Sequence, residues 1–198
     1  MNQDRTNRLR RGVRMAYSAA AERPQAEHPF PVGRRFAESL GYPKDLLDDL
    51  PSCAIDAFSG VSSVAIFADI PLHSIVLDLG CGAGFDSLIA ARRVSARGRI
   101  IGIDFSTTML DRARQASAES GADNVTFYRA DAEKLPLAEG EIDIALINGI
   151  FNLNPQREAI FRELARAVRL GGAVYAAELI LKEPLPPEIQ TSEADWFA

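Results

Sequence analysis

The segment Ser74–Ser87, S-I-V-L-D-L-G-C-G-A-G-F-D-S, decides the fold of this chain. It joins an apolar run, broken only by Asp78, to three glycines spaced two apart. A short continuous apolar run is typical of a strand buried on both faces of a sheet. Glycine permits tight turns and close approach of the backbone to a ligand, and the start of a following helix offers free N–H groups to an anion. The segment therefore predicts a strand, a ligand-binding loop and a helix in succession.

The same strand–helix rhythm continues downstream. We predict strands at Ile75–Leu79, Arg99–Ile103, Val125–Tyr128, Ile142–Ile147 and Ala173–Leu181, and helices at Phe85–Val94, Ser106–Ser120 and Gln156–Val168. Gly171 and Gly172 are expected to end the last helix. Strands that alternate with helices form a mostly parallel sheet with right-handed crossovers. The fold class is therefore α/β, a doubly wound Rossmann-like sheet.

The first part of the chain has a different character. Residues 1–73 contain short helical patterns and a turn-rich proline segment, but no strand pattern of comparable quality. We interpret residues 1–73 as an N-terminal helical lid or extension, and residues 74–198 as the ligand-binding domain. The arginine-rich start, which includes Arg10 and Arg14, favours a solvated helix or a flexible arm over a transit peptide.

Composition restricts the classes of partner. The formal net charge of −5 argues against a nucleic-acid surface, which usually needs a basic face. No apolar run approaches the length of a membrane span, and no metal-ligand cluster is evident. Two cysteines are too few for a disulfide framework, so we expect a cytoplasmic protein.

The charge next to the glycine loop indicates the kind of ligand. A dinucleotide fingerprint needs a third glycine where this chain has Phe85, and Asp78 would repel a pyrophosphate. The same carboxylate attracts a ligand that carries an ammonium group as well as a carboxylate. The methionine half of S-adenosylmethionine carries both groups.

The stretch D-L-G-C-G-A-G resembles motif I of class I S-adenosylmethionine-dependent methyltransferases, and R-A-D-A-E-K-L-P resembles the family's motif after the third strand. The resemblance implies that Asp104 binds the ribose hydroxyls, that Asp131 accepts from the adenine amino group, and that the Ala132 N–H reaches the ring. For Asp131 alone, a helix N-cap is the alternative role. The implied cofactor contacts are Asp78, Gly80, Cys81, Gly82, Gly84, Asp104, Phe105, Met109, Asp131, Ala132 and Asn148.

Other stretches, such as N-G-I-F-N-L-N-P, are similar to the arsenite methyltransferase-like and ubiquinone-biosynthesis-like branches. In the arsenic enzymes cysteine thiolates hold As(III), but this chain has Gly60-Val61-Ser62 and Gly149 at two of those positions. Soft As(III) needs several thiolates, so the expected acceptor is another small molecule. Phe151 and Asn152 are expected to face it. No residue is assigned as a general base.

The end of the sequence suggests a third possibility. Members of the family continue with a helix and two further strands, which this sequence lacks, so the fifth strand is expected to form an exposed edge. A second copy of the chain or a partner protein would cover that edge. The alternative to an active enzyme is a truncated relative that binds the cofactor without turnover.

Overall fold

The computed structural model describes residues 3–95 and 97–183. The helices are α1 Gln3–Glu22, α2 Arg34–Ser39, α3 Lys44–Asp48, α4 Ser52–Ile55, α5 Val64–Phe67, α6 Phe85–Arg93, α7 Thr107–Ser120 and α8 Arg157–Ala167. The strands are β1 Ile75–Leu79, β2 Arg99–Asp104, β3 Val125–Arg129, β4 Ile142–Asn148 and β5 Val168–Ala177. No helix among these residues is long and apolar enough to cross a membrane.

The five strands form one parallel sheet in the order β3-β2-β1-β4-β5. The predicted doubly wound fold is therefore confirmed. From β1 the chain adds β2 and β3 on one side and then β4 and β5 on the other. The strand order thus reverses between β1 and β4, and ligands bind beyond the carboxyl ends of the strands at such a reversal.

The sheet is closely packed next to the glycine loop. Asp78, Gly102 and Phe127 lie side by side on β1, β2 and β3. A Cβ atom at Gly102 would stand 2.5 Å from Cδ1 of Phe127 and 3.1 Å from Sγ of Cys81. Only glycine fits there, because the neighbouring side chains fill the space above β2.

Helices α2–α5 share a core with the sheet. Leu47, Ala54 and Val64 belong to the same buried cluster as Val76 of β1 and Ile100 of β2. A second cluster on the other face joins α8 to the sheet. The short helices before β1 are therefore held by the same apolar contacts as the sheet.

Two elements differ from the sequence prediction. The arginine-rich start is a packed helix, α1, rather than a solvated helix or a flexible arm, because Leu9, Val13, Ala20 and Ala21 form a buried stripe along it. Helix α8 ends at Ala167, and β5 follows at once through the two glycines that were expected to end the helix.

The structure gives a reason for the early start of β5. Val168 pairs with Ile142, and the register then shifts before Ala173 pairs with Ile144. A Cβ atom at Gly172 would stand 2.6 Å from the carbonyl oxygen of Asp143. The glycines therefore fit the strand irregularity instead of ending a helix.

Strand β5 pairs only with β4 among the described residues, so its outer edge has no strand partner there. Leu170, Val174, Leu179, Ile180 and Leu181 are exposed on it or just beyond it. The sequence expectation that concerns the end of the chain, the missing helix and strands after the fifth strand, lies outside the described residues.

Candidate functional site

A cleft lies at the carboxyl ends of the strands where the strand order reverses. The glycine loop forms its floor, the segments after β2, β3 and β4 form its sides, and α1 with residues 57–60 covers it. Every cofactor residue implied by the sequence resemblance lines this cleft except Gly84, and Gly84 belongs to the floor loop. The sheet topology therefore brings the scattered sequence motifs to one place.

The glycine loop is held by the end of β2. Its Gly80 and Cys81 N–H groups donate to the carbonyl oxygen of Ile103 at 2.8 Å and 3.0 Å. All three of its glycines have positive φ angles, which residues with side chains rarely adopt. At the start of α6 the Phe85 and Asp86 N–H groups have no partner within the helix and are the amides left for a ligand, because the Ser87 N–H donates to Asp78.

Asp104 joins the glycine loop to α7. One carboxylate oxygen accepts from the Gly82 N–H at 3.0 Å, and the other accepts from the Ser106 N–H at 2.8 Å. Burial raises the pKa of Asp104 to about 6, although these amide donors oppose the shift. Ser106 in turn caps α7 by accepting from Met109 N, so the carboxylate is fixed at the end of β2.

Asp78 is fully buried and has one side-chain partner. Ser87 Oγ donates to its Oδ2 at 2.5 Å. Burial raises the pKa of Asp78 well above its ordinary value, and the nearby charge of Asp86 raises it further. No cation lies among the contacts that the described residues make with Asp78.

A second buried network involves Asp86, which the sequence reasoning missed. Tyr42 donates to Asp86 Oδ1 at 2.6 Å, and Asn148 Nδ2 donates to Asp86 Oδ2 at 2.8 Å. Burial raises the pKa of Asp86 above its ordinary value, while these donors oppose the shift. Asp86 therefore has better hydrogen-bond support than Asp78.

The side chain of Asn148 fixes the loop that covers the cleft. Its Oδ1 accepts from the Val61 and Ser62 N–H groups at 2.7 Å and 3.1 Å, and its Nδ2 also donates to the Ser62 carbonyl at 2.8 Å. A Cβ atom at Gly60 would stand 2.5 Å from Asn148 Nδ2. These bonds use the hydrogen-bonding capacity of the amide, so the side chain acts by positioning this loop.

The far end of the cleft contains the residues implied for adenosine. Phe105, Met109, Asp131 and Ala132 all line it. Residues 130–141 contain no helix, so Asp131 is not a helix N-cap, and that alternative was wrong. Helix α1 contributes Arg14, whose guanidinium lies 3.7 Å from Asp131 Oδ1.

Phe151 and Asn152 lie off the cleft. Phe151 stacks on Phe161 at a ring-centroid distance of 4.6 Å, and its N–H donates to Glu178 at 2.6 Å. The Asn152 side chain donates to the carbonyl oxygen of Leu179. Gly149, Ile150 and Leu153 of the same loop line the cleft instead. The loop thus places the Phe151 side chain against α8 and the Asn152 side chain beside Leu179, just after β5.

Several lining residues were missed because they come from the segment before the sheet. Arg10, Val13, Arg14 and Tyr17 recur at helical spacing on α1 and face the cleft. This spacing was readable in the sequence, but nothing local indicated that this face would meet the sheet rather than solvent. His28 is half-buried and its ring contacts the carbonyl oxygen of Arg23, and the His73 ring contacts Ser95 Oγ.

The electrostatics favour a cationic group. Asp78, Asp86 and Asp104 are buried together in the cleft lining, and burial raises the pKa of each. No group of metal-ligating side chains occurs in residues 3–95 and 97–183. A ligand ammonium or sulfonium would supply the positive charge that these carboxylates need, and the α6 amides would donate to a ligand carboxylate.

The unliganded protein is expected to lose stability as the pH rises. The raised pKa values mean that the folded state binds more protons than the unfolded state, so the free energy of unfolding falls with increasing pH. For Asp104 this loss of stability occurs between its ordinary pKa of 3.8 and its raised pKa of about 6. The raised pKa of Asp78 extends the loss of stability to higher pH. Urea unfolding at about pH 5.5 and about pH 8 should differ by about 1 kcal/mol or more, the scale of one pKa unit.

The lowered pKa of Glu163 does not change the stability between these two pH values. Ion pairing with Arg166 lowers the pKa of Glu163 to about 2, so its stabilising effect is lost only as the pH falls through that value. Asp104→Asn should flatten the profile by removing one of the titrating groups. A stability that increases between the two pH values would contradict the electrostatic description of the cleft.

Comparisons with known proteins agree with this geometry. A family model described as a methyltransferase domain matches residues 73–197. The arsenite methyltransferase of Halobacterium salinarum is 34% identical over 156 residues, which cover 78% of this chain and 39% of that protein. The demethylmenaquinone methyltransferase of Lactococcus lactis is 31% identical over 103 residues, covering 52% of this chain and 41% of that protein.

A solved structure shows the same fold. The arsenic(III) S-adenosylmethionine methyltransferase of Chlamydomonas reinhardtii superposes with a TM-score of 0.62 at 23% identity, over 83% of this chain and 56% of that chain. The chain spans about two-fifths of the length of the two curated relatives described above. Because the family model covers more than half of the sequence, the chain belongs to the methyltransferase domain family, as a class I S-adenosylmethionine-dependent methyltransferase.

Proposed function

We propose that this protein transfers a methyl group from S-adenosylmethionine to a small-molecule acceptor. The observation that carries the proposal is the set of buried carboxylates beside a glycine loop and a helix start. Asp78 faces the position for an ammonium group, the start of α6 offers amides for a carboxylate, and Asp104 offers acceptors to ribose hydroxyls. Together these groups match both charges of the methionine half and the sugar of the cofactor.

The protein's contribution to the reaction is positioning and exclusion of water. The bound cofactor supplies an activated methyl group on a sulfonium. Asp78, the glycine loop and Asp104 would fix the position of that cofactor, while Tyr17 and Phe58 cover the cleft. In-line methyl transfer gains most from such orientation. The described lining contains no histidine and no lysine, and we assign no general base.

The acceptor side of the cleft is apolar. Val61 Cγ1 would stand 3.0 Å from a Cβ atom placed at Gly149, so the two positions that carry thiolates in the arsenic enzymes adjoin each other here. In this chain they hold an isopropyl group and a hydrogen atom, neither of which binds As(III). We therefore favour an organic small molecule over arsenite. Phe151 and Asn152 would support the acceptor loop rather than touch the acceptor.

Methyl-transfer and binding assays test this function together. Labelled S-adenosylmethionine should transfer its methyl group to at least one thiol, phenol or quinone precursor and not to arsenite. Calorimetry should show that S-adenosylhomocysteine binds more tightly than NADH. Binding of S-adenosylhomocysteine with no methyl transfer to any acceptor would favour the alternative, a relative that binds the cofactor without turnover. Tighter binding of NADH would overturn the assignment.

Asp104→Ala is expected to weaken S-adenosylhomocysteine binding by about 1–3 kcal/mol, or about 5- to 150-fold in Kd, because ribose hydroxyls would lose a buried acceptor. Calorimetric titration measures this change. Asp111→Ala is the matched control, since Asp111 is an exposed acid on α7 that pairs with Arg114. Equal affinities for both variants would remove the ribose role of Asp104.

We further propose that the exposed edge of β5 is covered by a second copy of the chain or by a partner protein. An uncovered edge with exposed Leu170 and Val174 is a site for strand pairing between chains. Light scattering during size exclusion tests self-association. We also propose a cytoplasmic location, which is supported by the two cysteines, Cys53 and Cys81, being buried free thiols.

A further inference from the structure

Helix α1 lies across the adenosine end of the cleft. Buried Leu9 and Val13 anchor it, and Ser18 Oγ lies 2.9 Å from Ser106 Oγ, at the cap of α7. Farther along, Arg112 of α7 donates to the carbonyl oxygen of Ala21. The helix is therefore docked by several contacts, and its cleft-facing arginines are held at a fixed position above the segments that follow β2 and β3.

Arg14 makes two contacts at this end. Its guanidinium carbon lies 5.5 Å from the centre of the Phe105 ring, and its Nη2 lies 3.7 Å from Asp131 Oδ1. Phe105 is one of the residues implied above for adenosine, and Asp131 is the residue implied for the adenine amino group. A guanidinium is planar and carries N–H donors, so it can satisfy an aromatic face and a carboxylate as an aminopurine does.

We propose that Arg14 sets the cofactor affinity by occupying the adenine subsite in the free protein, from which the adenine must displace it. This inference rests on the proposed function, because it takes Phe105 and Asp131 as the adenine contacts. Arg14 thus lowers the affinity of the cofactor site for the adenine end of its ligand. It is contributed by the helix before the sheet, outside the motifs that identify the family.

The strengths of the contacts explain why Arg14 can leave while α1 stays docked. The side chains of Arg14 and Asp131 are 50% and 55% exposed, and such pairs contribute little to stability. Arg10 pairs with Glu133, whose side chain is only 10% exposed and also accepts from Asn154 Nδ2 at 3.0 Å. Arg10 is therefore the stronger anchor of the helix, and Arg14 is the weaker and exchangeable contact.

Calorimetry with adenosine tests the displacement directly, because adenosine is uncharged and carries only the part of the cofactor that would compete. Arg14→Ala should tighten adenosine binding by about three- to tenfold, the scale of an exposed ion pair plus a cation–π contact. Raising NaCl from about 50 mM to about 500 mM should tighten binding to the unaltered protein by screening the Arg14–Asp131 pair, and should leave the Arg14→Ala variant unchanged.

Two further variants separate displacement from general charge effects. Arg11→Ala removes an exposed arginine from the same helix and should leave adenosine binding unchanged. Arg14→Lys keeps the charge near Asp131 but loses the planar face, so its affinity should lie between those of the other two proteins. Circular dichroism and thermal unfolding confirm that each variant is folded, which the buried anchors Leu9 and Val13 should ensure.

Failure of the Arg14 inference can be distinguished from failure of the proposed function. Weaker or unchanged adenosine binding in Arg14→Ala, with S-adenosylhomocysteine still bound by the unaltered protein, overturns the role of Arg14 alone. Absence of S-adenosylhomocysteine binding in every variant overturns the proposed function and this inference together. Equal tightening by Arg11→Ala would show a nonspecific effect of charge and would also overturn the inference.

Discussion

Replacing Asp78 by Asn is expected to stabilise the free protein and to remove most of its cofactor affinity. Asp78 is buried beside Asp86, and burial raises its pKa, so its ionised form is costly in the unliganded fold. An amide of the same shape keeps an oxygen for the Ser87 hydroxyl, which lies 2.5 Å from Asp78 Oδ2, and has no charge to bury. We expect a gain of about 1–3 kcal/mol near neutral pH, which is several degrees in Tm.

The same substitution removes the negative charge that the ligand ammonium needs. Affinity for S-adenosylhomocysteine should fall by about 1.5–3 kcal/mol, the scale of a hydrogen bond to a charged group, or about 10- to 150-fold in Kd. Thermal unfolding with and without S-adenosylhomocysteine measures both effects. The variant should melt higher than the unaltered protein without ligand and should gain little when ligand is added.

Asp86→Asn is the matched control, because it makes the same chemical change at the neighbouring buried acid. Tyr42 and Asn148 both donate to Asp86, so an amide nitrogen there would face a donor. This variant should lose about 1–3 kcal/mol of stability, opposite in sign to Asp78→Asn. Stabilisation by both substitutions, or by neither, would contradict the different pairing of the two carboxylates.

The sheet was predictable because its strands have strong local signals. Five short apolar runs, each bounded by turn residues, gave strand positions that agree with the structure to within a few residues, apart from β5. The start of β5 was missed because Val168 reaches Ile142 through an irregular register, which depends on contacts between distant segments. The two glycines are visible in the local sequence, but their fit against the neighbouring strand β4 is not.

The site was predictable to the extent that its residues follow the strands directly. Asp78, Asp104 and Asp131 each lie at or just after a strand end, so the topology alone brings them to one edge of the sheet. Arg14 and Tyr17 were missed because they depend on how an N-terminal helix docks. Phe151 and Asn152 lie off the cleft because the direction of a loop side chain depends on distant partners, here Phe161 and Leu179.

Replacing Asn148 by Asp is expected to be the most destabilising of the substitutions considered. The new carboxylate would put an oxygen where Nδ2 now donates to Asp86 Oδ2 and to the Ser62 carbonyl, both at 2.8 Å. Two donor contacts would become repulsive contacts at a half-buried side chain, and the buried Asp86 carboxylate would be left facing a like charge. The cost should be about 3–5 kcal/mol, as for other uncompensated buried charges, which is a large part of a typical domain's stability.

Three measurements separate the added charge from the lost hydrogen bonds. Asn148→Ala should cost only about 1–3 kcal/mol, because it leaves the loop amides unpaired without adding charge. Gln156→Glu makes the same amide-to-carboxylate change at an exposed position before α8 and should have little effect. The destabilisation by Asn148→Asp should also shrink toward about pH 5, because the buried acid then binds a proton.

Hydrogen exchange locates the damage in the fold. The Val61 and Ser62 amides donate to Asn148 Oδ1, so Asn148→Ala, which removes that acceptor, should release the segment that covers the cleft. Those two amides should exchange faster in Asn148→Ala, while amides in the centre of the sheet should change only as the global stability changes. Unaltered protection at Val61 and Ser62 would mean that other contacts hold this loop, and that Asn148 does not control the cover of the cleft.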